Sequence, residues 1–285
     1  MLRLFSAALV FCAFLLGIAA YNTSNGASAV SQQGQTNTAK PTPTPTPAKI
    51  VDKNAKNYTA EQVAESAIFI YGSRAVLEQI RRNGIERGRI TRNMTDGKVE
   101  EATYERVFIR GESPDKDRIR LDQKMPTLEY SLVFGEGRLW GLINGAAFTP
   151  RQDAAAAFLS QHRHSIEALL RYKESGATLK LIGKDKQKGL DLYVLELIDK
   201  DQVTTRYYLS SKTLHILWLE YEEPIAGGIA TKFTKRFADY RYAQSTLVPF
   251  RTVLTEDGKQ TQETRILTVT FGVKVDEALF KNPSA

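Results

Sequence analysis

Histidine and cysteine, the side chains most often used in metal and nucleophilic chemistry, are scarce in this chain. Its 285 residues include three histidines and one cysteine. His162 and His164 lie two residues apart in a predicted helix, about 200° apart around the helix axis, and cannot bind one metal ion. His215 stands alone in a predicted strand. No histidine shares a motif with a serine and an acidic residue, so we predict no catalytic residues, no metal site and no cofactor.

Two other groups of residues could in principle form a cation site or a phosphate-binding loop. Glu220, Glu222 and Glu223 form an acidic cluster that could bind a cation weakly, but an exposed strand end is the favoured interpretation. The glycines within 135–137 and 227–228 lack the strand–loop–helix context of a phosphate-binding loop, so we interpret them as turns.

The apolar pattern is more informative than the polar residues. From 178 to 271 the sequence predicts consecutive strands with no helix between them, which indicates an antiparallel meander. The segment 190–198 is apolar on both faces, with Leu192 and Val194 on one side and Leu195 on the other. An antiparallel sheet commonly has one face in water. A sheet with two apolar faces must cover the second with helices, another sheet or a ligand.

The N-terminus predicts export. Arg3 is followed by an apolar stretch over 7–20 and by Ala27 and Ala29, which match the small residues of a signal-peptidase site. We therefore predict a signal peptide over residues 1–29, with an uncleaved N-terminal anchor as the alternative. The apolar stretch is short for a membrane span.

Export and composition together bound the class of protein. Cys12 lies inside the predicted signal peptide, so the mature chain would contain no disulfide and no thiolate site. The net charge of +7 is distributed along the chain among acidic residues, which favours a solvated surface over nucleic-acid binding. We predict a periplasmic location, soluble or tethered by the N-terminal segment, and a monomer.

Three segments follow from the composition. After the signal peptide, residues 30–57 are rich in Thr, Pro and Gln and include alternating prolines over 41–47. Such a segment cannot bury enough apolar surface to offset ordering, so we predict a disordered tether. A single folded domain is predicted over 58–285.

Helix signals flank the first group of strands. Thr59 and Gln62 match a capping box that opens a helix, Gly72 should interrupt it, and it should end near 83–84. Thr149 is the predicted N-cap of a second helix. Together with the run described above, ten to twelve strands are expected, the first five at about 85–92, 100–110, 117–125, 127–134 and 138–144.

A sheet of this size must curl, split or close. The sequence therefore predicts an α+β, mainly β fold, in which one large curved antiparallel sheet, an incomplete β-barrel, carries helices across its concave face.

Over the folded unit the chain resembles the LolA/LolB-like superfamily of outer-membrane lipoprotein-sorting proteins. The segments that carry the resemblance are the first helix leading into a strand, a central hairpin, and the closing strands with a final turn, at 71–80 with 84–88, 189–197 with 206–213, and 239–242, 247–250 and 275–280. The resemblance implies a concave apolar sheet, capped by helices, that shelters acyl chains.

The resemblance and the surplus of apolar strands lead to one main hypothesis. We expect a non-enzymatic carrier or binding protein for lipidated or hydrophobic ligands, with a lipid or the acyl chain of a lipoprotein as its partner. An envelope sensor or protein-interaction module, using the same concave sheet to bind an envelope membrane protein, is the alternative. The expected hydrophobic lining is Leu121, Tyr130, Leu132, Phe134, Trp140, Leu195 and Trp218.

Overall fold

The computed structural model describes residues 58–94, 96–224 and 230–282. The predicted signal peptide, the predicted tether and the glycine pair at 227–228 lie outside the described residues. Thirteen strands of the described residues form one antiparallel sheet, in the order β6-β5-β4-β3-β2-β1-β13-β12-β11-β10-β9-β8-β7. The strands are β1 (Asn83–Asn93), β2 (Val99–Ile109), β3 (Arg118–Lys124), β4 (Glu129–Gly135), β5 (Arg138–Ile143), β6 (Ala146–Phe148), β7 (Thr178–Gln187), β8 (Leu190–Ile198), β9 (Thr204–Ser210), β10 (Ile216–Pro224), β11 (Ala230–Ala243), β12 (Thr246–Glu256) and β13 (Lys259–Phe271).

The sheet is open, with β6 and β7 as its two edges. Consecutive strands are neighbours in the sheet, except for β6 and β7 at its two edges. The pairing of β1 with β13 joins the first six strands to the last seven. The predicted fold class, a large antiparallel sheet short of a closed barrel with a few helices, is confirmed. The strand missing from the prediction is β6, whose three residues are too few for an alternating pattern.

Four α-helices accompany the sheet. They are α1 (Ala60–Tyr71), α2 (Ser73–Gln79), α3 (Gln152–Arg163) and α4 (Ile166–Leu170). The capping box of Thr59 and Gln62 is present at the start of α1. Gly72 separates α1 from α2 with a φ of 134°, a backbone conformation that side-chain-bearing residues rarely adopt. Both predictions are confirmed, although α2 ends at Gln79, before the position expected.

The start of α3 differs from the prediction. The helix begins at Gln152 with Arg151 as its N-cap, whose side chain accepts no capping hydrogen bond, so the prediction of Thr149 as N-cap is wrong. The acceptor comes from within the first turn, where the Asp153 carboxylate accepts from the Ala154 amide at 2.8 Å and pairs with Arg151 at 2.6 Å. An acidic residue in the first turn offsets part of the missing cap.

One face of the sheet, here called the inner face, carries the helices. Helices α1 and α4 pack on the half formed by β7 to β11, where Leu195, Tyr207 and Leu219 are fully buried among helix residues such as Ala64 and Leu169. The half formed by β1 to β5 is covered mainly by α3. A smaller core there contains Phe108, Ile119, Phe134, Val248 and Phe271, with Phe158 of α3 packed against it.

The opposite, outer face is partly covered as well. A C-terminal 3₁₀ turn, Glu277–Phe280, places Phe280 on Val107 and Val133. A separate outer-face cluster contains Leu192, Val194, Tyr208 and Trp218. Both apolar faces of the predicted two-faced strand β8 are therefore buried, one beneath the helices and one in this outer cluster.

Candidate functional site

Four of the seven predicted lining residues share one surface, on the inner face of β3 and β4. Leu121 lies opposite Leu132 in the strand register, and Phe134 lies opposite Ile119. Tyr130, Leu132 and Phe134 are buried, whereas Leu121 is half-buried. We call the surface formed by Ile119 and these four residues the β3–β4 surface.

The other three predicted lining residues lie apart from the β3–β4 surface. Leu195 is on the inner face but lies in the solid core beneath α1 and α4. Trp140 packs on the outer face with Val133, and Trp218 stacks there on Tyr208 at 4.6 Å. The strands that carry both tryptophans are apolar on both faces, so alternation alone does not reveal which face the helices cover.

Helix α3 forms a roof over the β3–β4 surface. Phe158 and His162 of α3 lie 6.4 Å and 5.8 Å from Phe134, measured between ring centroids. Most of α3 is loosely held, since only Ala154 and Ser160 among its residues are buried, and Leu159 is exposed. The roof is therefore a thin one, made largely of small side chains.

The edge strand β6 completes this cover. The ring of Phe148 lies over the backbone of Gly141, where a Cβ atom would come within 2.2 Å of it. Gly141 in turn is paired with Leu132 of β4. Any side chain at this position would have to move the Phe148 ring from its place over the strand.

A small cavity adjoins the β3–β4 surface. Ile119 of that surface and His162 of α3 both line it. Its volume is about 40 Å³, enough for a few water molecules. Three arginines line it, Arg81, Arg106 and Arg110, and we call it the arginine cavity. Its apolar walls are Phe108, Ile119, Val248 and Phe271.

The charges of the arginine cavity are only partly matched. Glu167 contacts both Arg81, at 3.1 Å, and Arg110. Arg106 makes no hydrogen bond and no ion pair with any described residue, and its guanidinium lies 4.8 Å from the Phe108 ring centroid. Burial and the positive charge of Arg106 lower the pKa of Arg81.

A second ion pair, between Asp117 and Arg171, lies at the wall of the cavity, which Asp117 helps to line. Buried Asp117 accepts two hydrogen bonds from Arg171, at 2.8 and 2.9 Å, and one from the Gly111 amide at 2.9 Å. His162 lies 3.5 Å from the same carboxylate, and burial lowers the pKa of its imidazole. Asp117 is thus committed to Arg171, and His162 is held close to the neutral form.

A buried lysine of β11 forms hydrogen bonds with the C-terminal end of α3. The Nζ atom of Lys235 donates to the carbonyl oxygens of Gln161 at 2.9 Å and His164 at 2.7 Å. Burial lowers the pKa of Lys235 to about 7, while Glu223 acts in the opposite direction. A cation at this end also favours the helix dipole.

His164 accepts from Lys235 through its carbonyl oxygen, and its side chain packs against β9 and β10. Its ring stacks on Tyr221 at 3.8 Å, and its Nδ1 lies 2.6 Å from the Thr205 hydroxyl. Burial, together with Lys235 and Arg163, lowers the pKa of His164 to about 3. The imidazole is therefore neutral at physiological pH and acts as a packing group.

The sequence reasoning missed the arginines and Lys235, although a signal was available. Arg106 alternates with Tyr104 and Phe108 along β2, and Lys235 lies between Phe233 and Phe237 along β11. A charged residue on the apolar side of an alternating strand must find a partner or a ligand when the strand is buried.

The described residues contain neither a cluster of metal-binding side chains nor a helix that could span a membrane. No group of three or more His, Cys, Asp or Glu side chains is arranged to hold a metal ion there. Among the helices in the same part of the chain, none is long and apolar enough to span a membrane.

Comparison with known proteins gives matches at the level of structure only. No protein-family model matches the chain, and no curated protein matches it in sequence. Several solved structures are similar in fold, and three of them are described here. A domain assigned to the outer membrane lipoprotein-sorting proteins, from Vibrio parahaemolyticus, has a TM-score of 0.53 and 14% identity, and the match covers 76% of this chain and 97% of that one.

The other two have comparable scores. A LolA superfamily protein from Nitrosomonas europaea has a TM-score of 0.56 and 13% identity, with 80% of this chain and 100% of that chain covered. A DUF1329 family protein from Desulfovibrio piger has a TM-score of 0.57 and 12% identity, with 80% and 99% covered. The resemblance inferred from the sequence is confirmed for the fold: this chain has the fold of the LolA superfamily proteins.

Proposed function

We propose that this protein is a non-enzymatic carrier of the cell envelope, which binds the acyl chain of a lipid or a lipidated protein between α3 and the β3–β4 surface. The observation that carries the proposal is the thin roof of α3 over a buried apolar surface that continues into a cavity. The fold shared with LolA superfamily and lipoprotein-sorting proteins supports it. The predicted signal peptide and tether support a periplasmic location for the domain.

The described conformation is closed. Sites for small molecules occupy several hundred Å³, whereas the arginine cavity measures about 40 Å³. Binding therefore requires α3 to move away from β3 and β4, so that an acyl chain takes the place of Phe158 against Phe134. Helix α3 is suited to this movement because its N-terminus lacks a side-chain cap and few of its residues are buried.

The energetics permit such an exchange. Each buried methylene contributes about 0.8 kcal/mol, so a chain of about a dozen carbons supplies on the order of 10 kcal/mol before association costs. Displacing α3 gives up the contacts of the half-buried Phe158 and His162 rings and of a few small side chains, on the order of a few kcal/mol. A net affinity remains, and the closing of α3 provides a route to release.

The first test is whether the native protein carries lipid. Protein purified from its own envelope and analysed by native mass spectrometry should release bound lipid, and the empty protein should bind a fluorescent fatty acid. Cross-linking in cells that recovers one dominant protein partner and no lipid would instead support the interaction module.

A matched pair of variants locates the site. Leu121→Glu puts a charge on the half-buried edge of the β3–β4 surface and should weaken probe binding at least about tenfold. Leu142→Glu changes an equally half-buried leucine on the outer face of β5 and should bind as the wild type does. Equal effects of the two variants, or a wild-type protein that is empty and ignores the probe, would refute this function.

A further inference from the structure

We infer that the arginine cavity binds the anionic head group, a carboxylate or a phosphate, of the lipid whose chain lies under α3. The inference rests on the proposed function and specifies its ligand as an acidic amphiphile. It follows from the hydrogen-bond donors, the shape and the position of the cavity.

Guanidinium donors outnumber their acceptors in the cavity. Arg81 is largely buried, and its Nη1 atom finds no acceptor among the described residues. Arg106 is half-buried and has neither hydrogen bond nor ion pair there, as described above. A charged donor that is buried without an acceptor destabilises the protein, by more than a neutral one does. These two side chains can be matched by an added oxyanion, to which an arginine donates two parallel hydrogen bonds.

The carboxylates nearby are already engaged. Glu167 is shared between Arg81 and Arg110. Asp117 is held by Arg171, and Glu86, which lies opposite Arg106 in the register, accepts from a tyrosine hydroxyl at 2.6 Å. None of the three comes within ion-pair distance of Arg106. The guanidinium of Arg106 is therefore available to donate hydrogen bonds to an acceptor on a bound ligand.

The shape of the cavity fits a head group and excludes a chain. A volume of about 40 Å³ corresponds to three or four water-sized groups, the size of a carboxylate or a small phosphate. Apolar side chains also line the cavity, and of these Ile119 lies opposite Phe134 in the strand register, beneath α3. An acidic head held by Arg106 would direct its chain along the β3–β4 surface.

The test compares three probes with the same twelve-carbon chain and different heads. Laurate and dodecyl phosphate are ionised at neutral pH, and dodecanol is uncharged. Binding of each is measured by calorimetry, or by displacement of a fluorescent fatty acid, with wild type, Arg106→Gln and Arg106→Lys. Arg89→Gln is the matched control. Arg89 is an exposed arginine on the outer face of the neighbouring strand β1, and it likewise makes no ion pair with a described carboxylate.

We expect the wild type to bind at least one of the two anions about tenfold more tightly than dodecanol, since a hydrogen bond to a charged group adds about that factor. Arg106→Gln should reduce the preference to less than about threefold without weakening dodecanol binding, Arg106→Lys should restore part of it, and Arg89→Gln should retain all of it. The better of the two anions identifies the head group. Unfolding midpoints equal to that of the wild type confirm that the variants are folded.

The remaining outcomes are separable. If all three probes bind equally, or if Arg106→Gln keeps the preference for anions, the cavity holds only water and the inference is overturned while the carrier function stands. If no probe binds to the wild type, the proposed function fails and the inference fails with it.

Discussion

Replacing Lys235 with methionine should change the way in which stability depends on pH. Lys235 is buried, and its pKa is lowered from 10.5 to about 7 in the folded protein. In the unfolded chain the amine keeps its proton up to about pH 10.5, so between these pH values the unfolded state binds more protons than the native state. The free energy of unfolding of the wild type therefore rises with pH across this window, and it is flat with respect to this group below about pH 7.

The magnitude follows from linkage. One proton contributes at most ~1.4 kcal/mol per pH unit, so the wild type should gain up to ~2.7 kcal/mol relative to Lys235→Met between about pH 7.5 and about pH 9.5. The two hydrogen bonds from Nζ to the carbonyls of Gln161 and His164 favour the charged form, which makes this figure an upper limit. The nearest acidic group, Glu223, acts in the same direction as these carbonyls.

The assay is urea unfolding at several pH values within this window. Lys180→Met, which removes an exposed lysine of β7, is the control and should follow the wild type throughout. Near neutral pH the loss of two hydrogen bonds and the relief of desolvation oppose each other, so Lys235→Met should remain folded. Parallel pH profiles for the wild type and Lys235→Met would show that Lys235 is not desolvated, and would refute the role assigned to it at the end of α3.

Three further changes test the architecture. Gly141→Val should displace the Phe148 ring and reduce the free energy of unfolding by about 1–3 kcal/mol; an unchanged value would mean that β6 does not cover the inner face. Asp117→Asn should destabilise by up to about 3–5 kcal/mol in the same assay, because the buried Arg171 then keeps only the carboxylate of the exposed Glu174; a loss below about 1 kcal/mol would contradict this pairing. Thr59→Ala should cost about 1 kcal/mol through loss of the α1 capping box, and amide exchange should increase in the first turn of α1 only.

Local patterns predicted the secondary structure well. The capping box at Thr59 and the break at Gly72 depend on neighbours a few residues away, and both are present. The failures are also local in origin. At the start of α3 the side-chain acceptor is Asp153 and not Thr149. Strand β6 has only three residues, too few to show an alternating pattern. The predicted signal peptide and tether remain predictions, since they lie outside the described residues.

The predicted lining was only partly brought together. Leu121, Leu132 and Phe134 are on one surface because β3 and β4 form a hairpin whose register their alternation fixes. Trp140 and Trp218 belong to strands with apolar residues on both faces, so nothing in the strand itself shows which face the helices will cover.

By itself, then, the sequence determined the elements, the antiparallel pairing of consecutive strands and the excess of apolar surface, because each depends on residues close together in the chain. The tertiary structure decided which face became the inner one, how β1 closes on β13 far along the chain, and where Arg81, Arg106 and Arg110 meet. These outcomes depend on long-range contacts. Arg81 follows α2, whereas Arg106 and Arg110 lie at the end of β2, and the carboxylate of Glu167 in α4 pairs with both Arg81 and Arg110.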